Sequence, residues 1–282
     1  LRLLGLNSDS LTLGNIGMSA EHLQIYQEEI QRDNGMILIN GATGSGKSTS
    51  LYASVRHILA SKDVNVITVE DPVEYQVDDV IQVNVDESDK VTFPSALKSI
   101  LRHDPDVIMI GEIRDGETAG IAIKSSLTGH LVLSSLHANS ASAAVVRLAD
   151  IGIEPYMIAS TLRVSIAQKL VRKLCQNCCK ESILTKERAL LLDREDLEGS
   201  TIYEKSGCLY CGGSGYSGRL PVFEVLRINK EFKSLIHSQF NDEILRKEMK
   251  RLNVPTMVDD SITKMTDGLI DFHECYQTVS AI

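Results

Sequence analysis

The sequence predicts an α/β fold organised around a mostly parallel sheet. Three observations carry that reading. Apolar, β-branched runs alternate with helix-compatible segments across residues 36–150. The first run, Met36-Ile37-Leu38-Ile39, leads directly into Gly41-Ala42-Thr43-Gly44-Ser45-Gly46-Lys47-Ser48-Thr49 and then a helical segment over residues 47–60. Two later runs, 64–69 and 107–110, lead into acidic residues, directly at Glu70 and across Gly111 at Glu112, where a doubly wound sheet has its ligand crevice.

The loop at 41–49 has the spacing G-x4-G-K-[ST] in the strand–loop–helix setting that a phosphate-binding loop requires. Gly41, Gly44 and Gly46 allow the positive φ that curls backbone amides around an anion. The helix starting near Lys47 aims its free amides and positive dipole end at the same place. Lys47 is expected to reach the β- and γ-phosphates of a nucleoside triphosphate, and Ser48 to hold Mg²⁺. A glycine-rich turn before a surface helix is the bland alternative. The strand and helix signals on either side favour nucleotide binding.

Composition narrows the class. A chain of 282 residues can bury a sizeable core in one large or two smaller domains. Its formal charge of −9 gives no general attraction for DNA or RNA. No apolar run approaches a membrane span, and no signal peptide opens the chain. It begins with Leu1 rather than Met and is read as a fragment of a cytoplasmic protein. Six cysteines in such a setting point to a metal site or buried thiols before disulfides.

In chain order, an amphipathic helix is expected from about Ser19, ended by the turn Asp33-Asn34-Gly35. Residues 64–69 read as a buried strand running into Glu70-Asp71-Pro72-Val73-Glu74, either a ligand-facing acidic group or a solvated turn. A helix is expected over 92–101, with Pro94 tolerated in its first turn. The strand Val107-Ile108-Met109-Ile110 then ends on Gly111-Glu112-Ile113-Arg114-Asp115, a Walker B-like pattern with Gly111 at the usual Asp position. Glu112 there is placed to orient, or take a proton from, an attacking water. Residues 117–127 read as helix, and Thr128-Gly129-His130 leads into a strand ending at His137. His137 is the third polar group just past a central strand, and an imidazole there is expected to hydrogen-bond a γ-phosphate oxygen.

Residues 155–173 read as one long helix with a basic end, Lys169, Arg172 and Lys173. Cys175-Gln176-Asn177-Cys178 and Cys208-Leu209-Tyr210-Cys211 are two C-x2-C pairs, a strong signal for one tetrahedral Zn²⁺ with no open position. Cys179 leaves a C-x3-C pairing open, and redox thiols or core cysteines are the alternatives. Cys275 reads as a buried thiol. Residues 221–282 look like a small helical region.

Four of these motifs together resemble one family, the secretion ATPases of type II secretion and type IV pilus assembly (GspE/PilB-like). The loop 41–49 is similar to its Walker A, with Ala42 where many members have Pro. Residues 67–75 resemble its Asp box. Residues 104–115 resemble its atypical Walker B, glycine included. Residues 128–139 resemble its His box, with Ser135 and Ala138 replacing Thr. The cysteine pairs match the zinc module of the assembly branch.

The resemblance implies a RecA-like P-loop NTPase core that hydrolyses ATP with Mg²⁺. It implies catalytic roles for Glu112, Glu70, His137 and His130, and structural Zn²⁺ on Cys175, Cys178, Cys208 and Cys211. It also implies a cytoplasmic homohexamer held at the inner membrane by a platform protein and by the cytoplasmic domain of a membrane anchor. The expected organisation is the tail of an N-terminal domain and a linker (1–34), an ATPase domain (35–150), a helical region (151–174 and 212–282) and a tetracysteine module (175–211). Leu1-Arg2-Leu3-Leu4 matches the last strand of the N-terminal domain, which is expected to supply the arginines of the active site; only Arg2 remains of that region. Pro221, where the family has glycine, is expected to alter a local turn.

Two other classes compete. A nucleic-acid-translocating RecA-like motor is disfavoured by the acidic balance and the lack of interleaved basic and aromatic residues. A non-hydrolysing scaffold is disfavoured by the joint presence of Lys47, Ser48, Glu70, Glu112 and His137.

Overall fold

The computed structural model describes residues 12–86, 88, 91–238 and 240–280. The expected strand at residues 1–4, and Arg2 with it, lies outside the described residues. In chain order the elements are α1 (Ala20–Ile30), β1 (Gly35–Asn40), α2 (Lys47–Ser61), β2 (Val66–Glu70), β3 (Val80–Asn84), α3 (Phe93–Ile100), β4 (Val107–Ile110), α4 (Gly116–Leu127), β5 (Leu131–Leu136), α5 (Ala141–Asp150) and α6 (Pro155–Thr161). There follow β6 (Leu162–Leu174), β7 (Lys180–Ile183), α7 (Lys186–Leu191), β8 (Thr201–Glu204), β9 (Tyr216–Arg227), α8 (Lys230–Ser238), α9 (Asp242–Arg251), α10 (Met257–Thr266) and α11 (Phe272–Val279).

The main sheet has the order β3-β2-β4-β5-β1-β6-β9, and β7 pairs with β8 in a separate antiparallel ribbon. Every pairing from β3 to β6 is parallel. Strands β1, β2, β4 and β5 are buried at every residue, as expected of a sheet covered on both faces by its crossover helices. Local chemistry sets the helix starts. Ser19, Thr92, Asp115 and Ser140 each accept a backbone N–H from the first turn of the helix they precede. Among the described residues, no helix is long and apolar enough to cross a membrane.

The chain forms two compact units. Of the described residues, the first takes those up to 167 and 225–254; the second takes 168–224 and those from 255 on. The boundaries fall inside β6, inside β9, and between α9 and α10. In the first unit, α1 is tied down by Tyr26, whose hydroxyl is 2.5 Å from Ser54 Oγ, and by Glu29, which accepts from Arg227 at 2.6 Å.

The long helix expected over 155–173 is not formed. Helix stops at Thr161, and residues 162–174 are strand β6. Leucine, lysine and glutamine suit a helix locally, but residues 162–167 pair with β1, where Val164 and Ile166 are completely buried. A non-local ladder beside the most buried strand outweighs local preference. Residues 221–227 likewise continue strand β9, and the helices begin only at Lys230. Pro221 therefore lies in a strand, not a turn. That strand is at the edge of the sheet, where a missing amide costs least.

In the second unit a buried ion pair holds α10 to β9. Asp260 accepts from Lys264 Nζ at 2.6 Å and from the Phe223 amide at 2.7 Å, and Lys264 donates to the Pro221 carbonyl at 2.8 Å. Asp260→Ala leaves the Lys264 ammonium buried without its counter-charge, so local stability should fall by about 3–5 kcal/mol. Native-state hydrogen exchange of the amides in 216–224 measures it. A loss under about 1 kcal/mol would show that the pair is solvated.

Candidate active site

The register of the parallel strands assembles the site. Asn40 is level with Leu136, Ser134 with Ile110, and Ile110 with Val69. The residues that follow β1, β5 and β4 and the last residue of β2 therefore emerge side by side along one edge. These are the loop at 41–49, His137, Glu112 and Glu70. They converge on a cleft of about 460 Å³ in the first unit, whose lining includes Thr43, Gly44, Lys47, Ser48, Glu70, Glu112 and His137.

The loop has the conformation its glycines permit. Gly44 and Gly46 take φ of 77° and 91°, left-handed values that a β-carbon would strain. Gly46 caps α2, so Lys47 is the first helical residue. The Lys47 ammonium lies back over its own loop and donates to the carbonyls of Gly41 at 2.8 Å and Ala42 at 3.1 Å. Burial pushes its pKa down, and the charge of Glu112 opposes the shift. Ala42, Thr43, Gly44 and Ser48 are exposed, whereas Ser45 is buried.

The two acids sit in different surroundings. Glu70 is buried, and its carboxylate accepts from the Tyr52 hydroxyl, from Thr68 Oγ1 at 2.6 Å and from Gln82 Nε2 at 3.2 Å. The Tyr52 phenol is pushed up by burial and by this bond to a carboxylate. The Glu112 side chain is 19% exposed and faces the cleft. One of its oxygens is paired with Arg114 Nε, and the other lies 3.1 Å from His137 Nε2. Arg114 also reaches Asp71 at 3.2 Å. A relay Asp71–Arg114–Glu112–His137 thus crosses the mouth of the cleft. Space does not require glycine at 111, since a β-carbon there would be 3.5 Å from the Glu70 Cα, an ordinary contact.

His130 is not brought to the cleft. It precedes β5 whereas His137 follows it, so the length of the strand separates them. Its Nδ1 is 2.9 Å from the Ser125 carbonyl and 3.3 Å from Thr128 Oγ1, the geometry of a residue closing the turn after α4. Tyr52, Gln82 and the Arg114–Asp71 bridge were not foreseen as parts of the site. Tyr52 had a readable signal, because it lies four residues after Ser48 on the same helical face.

In the second unit, the sulfurs of Cys175, Cys178, Cys208 and Cys211 all lie within 4.8 Å of one another. Measured pairs are 3.9 Å (Cys175–Cys208 and Cys178–Cys211) and 3.7 Å (Cys208–Cys211). Zn–S bonds of about 2.3 Å in a tetrahedron set sulfurs roughly 3.8 Å apart, so the four fit that ion. Backbone amides complete the donor set for thiolates: Gly207 donates to Cys178 at 3.3 Å, and Cys208 and Gly215 each donate to Cys211 at 3.2 Å. Those amides bring the Cys211 thiol down to about 6, while burial pushes Cys175 up to about 11. Cys179 stands apart from the four, with its thiol 4.0 Å from the Gln176 carbonyl.

The same chain matches known proteins along almost its whole length. The family model for the Type II/IV secretion system protein covers residues 1–277. The Type II secretion system ATPase E of Vibrio cholerae is 43% identical over 97% of this chain and 54% of its own length. The Type IV pilus assembly ATPase PilB of Myxococcus xanthus is 40% identical over 97% of this chain and 49% of its own. The chain thus spans about half the length of these relatives. Among solved structures, that of the pilus retraction motor PilT with bound ADP superposes with a TM-score of 0.71 at 27% identity, over 95% of this chain and 66% of that one. With its fold, its G-x4-G-K-[ST] loop and these matches taken together, the chain belongs to the Type II/IV secretion system protein family.

Proposed function

We propose that this chain is the ATP-hydrolysing part of a motor that drives type II protein secretion or the assembly of a type IV pilus or pseudopilus. The observation that carries this reading is the convergence of Lys47, Ser48, Glu70, Glu112 and His137 on one cleft. The named activities of its relatives, a secretion ATPase and a pilus-assembly ATPase, support it over a nucleic-acid motor. So does the net charge of −9.

The residues divide the work as follows. Amides of residues 42–48 cradle the phosphates, and Lys47 leaves the carbonyls of Gly41 and Ala42 to meet the β- and γ-phosphates. The exposed Ser48 hydroxyl is the ligand for Mg²⁺, which when bound neutralises phosphate charge. Glu112 orients the attacking water and takes its proton, and His137, already hydrogen-bonded to that carboxylate, faces the γ-phosphate side of the cleft. Glu70 holds a fixed negative charge behind the reacting groups. One Zn²⁺ on Cys175, Cys178, Cys208 and Cys211 has a structural role, since four thiolates leave no open position. We place the working form in the cytoplasm as a homohexamer. In this reading a platform protein and the cytoplasmic domain of an anchor hold it at the inner membrane, and nucleic acid has no part.

Lys47→Ala should weaken binding of a fluorescent ATP analogue itself. Glu112→Gln should bind it as wild type does and lose turnover by roughly a hundredfold or more, the range for removing a general base. Equal affinity of wild type and Lys47→Ala removes the phosphate role; near-normal hydrolysis by Glu112→Gln removes the base.

Purified protein should carry one equivalent of zinc by elemental analysis, and Cys208→Ala should lose it. Structural zinc supplies on the order of 10 kcal/mol to small modules, so proteolysis within residues 175–211 should quicken in that variant while nucleotide affinity is kept. Native protein with less than a few tenths of an equivalent would sink the assignment.

A further inference from the structure

The hydrolase reading leaves Tyr52 without a task, yet it is almost completely buried beside the cleft. It sits one turn after Ser48 on α2, the helix that starts at the phosphate-binding loop. Its hydroxyl donates to the Glu70 carboxylate and accepts the Glu74 amide at 3.2 Å. Its ring lies 4.4 Å from that of Tyr75. One side chain therefore ties the phosphate-binding helix both to the acid at the end of β2 and to the loop that follows it. Thr68 and Gln82 take the other Glu70 oxygen, so Tyr52 alone among these three holds the oxygen it bonds.

We infer that Tyr52 is a positioning residue for the proposed ATPase reaction: its hydroxyl, carried on the helix that binds phosphate, fixes the Glu70 carboxylate at the cleft. The inference rests on the hydrolase reading for its effect on rate, but the physical coupling of the two side chains does not. Tyr52→Phe keeps the ring and its packing on Tyr75 and removes only the hydroxyl.

Four proteins test it: the full chain as wild type, Y52F, E70A, and the double variant. Y52F should keep affinity for a fluorescent ADP analogue within about threefold. Its kcat should fall roughly tenfold, the scale of one hydrogen bond to a charged group. In the E70A background the same substitution should cost no further turnover, because its acceptor is gone. An equal fractional loss in both backgrounds, or a loss of affinity in place of turnover, overturns the inference. Where E70A or wild type turns over too slowly to read, the same cycle is run on thermal unfolding. There non-additive losses support the coupling and additive losses overturn it. Wild type that binds nucleotide and never hydrolyses it removes the hydrolase reading, and the unfolding cycle still decides whether Tyr52 holds Glu70.

Discussion

The site depends on parallel strand pairing held in register. β1, β5, β4 and β2 are neighbours in that order, all parallel, so each delivers its carboxyl end to the same edge. Strands in a sheet are about 4.8 Å apart, so the phosphate-binding loop and Glu112, two strands away, are separated laterally by roughly 10 Å. β5 fills that interval and places His137 in it. A one-residue slip of β4 would turn its buried side chains to the opposite face and carry Glu112 off its line. Both faces of these strands are buried, so such a slip would require repacking the side chains on each.

Much of this edge was legible in the sequence, and the reason is local. A glycine-spaced loop after an apolar run, and acids within two residues of the ends of two apolar runs, are short-range patterns whose chemistry depends little on the rest of the chain. Ser19 and Thr92 marked helix starts for the same reason. What escaped was set by long-range partners. Residues 162–174 have a helical composition and became a strand because β1 had an unpaired side. β3 is a half-exposed edge strand whose residues lack a continuous apolar signal. His130 was drawn in only by the resemblance, and it sits at the start of β5, the end away from the cleft, whereas His137 follows the strand. Arg114 has acidic neighbours in sequence, Asp115 and Glu117, as well as Glu112. Asp115 caps α4 and Glu117 pairs with Lys98, which leaves Arg114 to Glu112 and Asp71.

The two acids at the cleft show how surroundings divide like residues between tasks. Glu70 spends its lone pairs on three fixed donors and has little freedom to move. Glu112 is held by an arginine that is itself half exposed and by an exposed histidine, partners that can exchange with water or with a ligand. A fixed acid behind and an exchangeable one in front suit the proposed reaction, in which Glu112 would have to change partners while its background stays in place.

Pro221 bears on how the margin of the main sheet is finished. It lies in β9, the last strand of the sheet, and its carbonyl and the amide of Phe223 are taken by Lys264 and Asp260 of α10. A strand margin normally displays a row of donors and acceptors that can template another chain. Here a proline contributes no donor, and an ion pair occupies two of the groups that remain. Those two backbone groups are therefore closed to a passing strand, so this stretch of the margin is a poor template for backbone pairing.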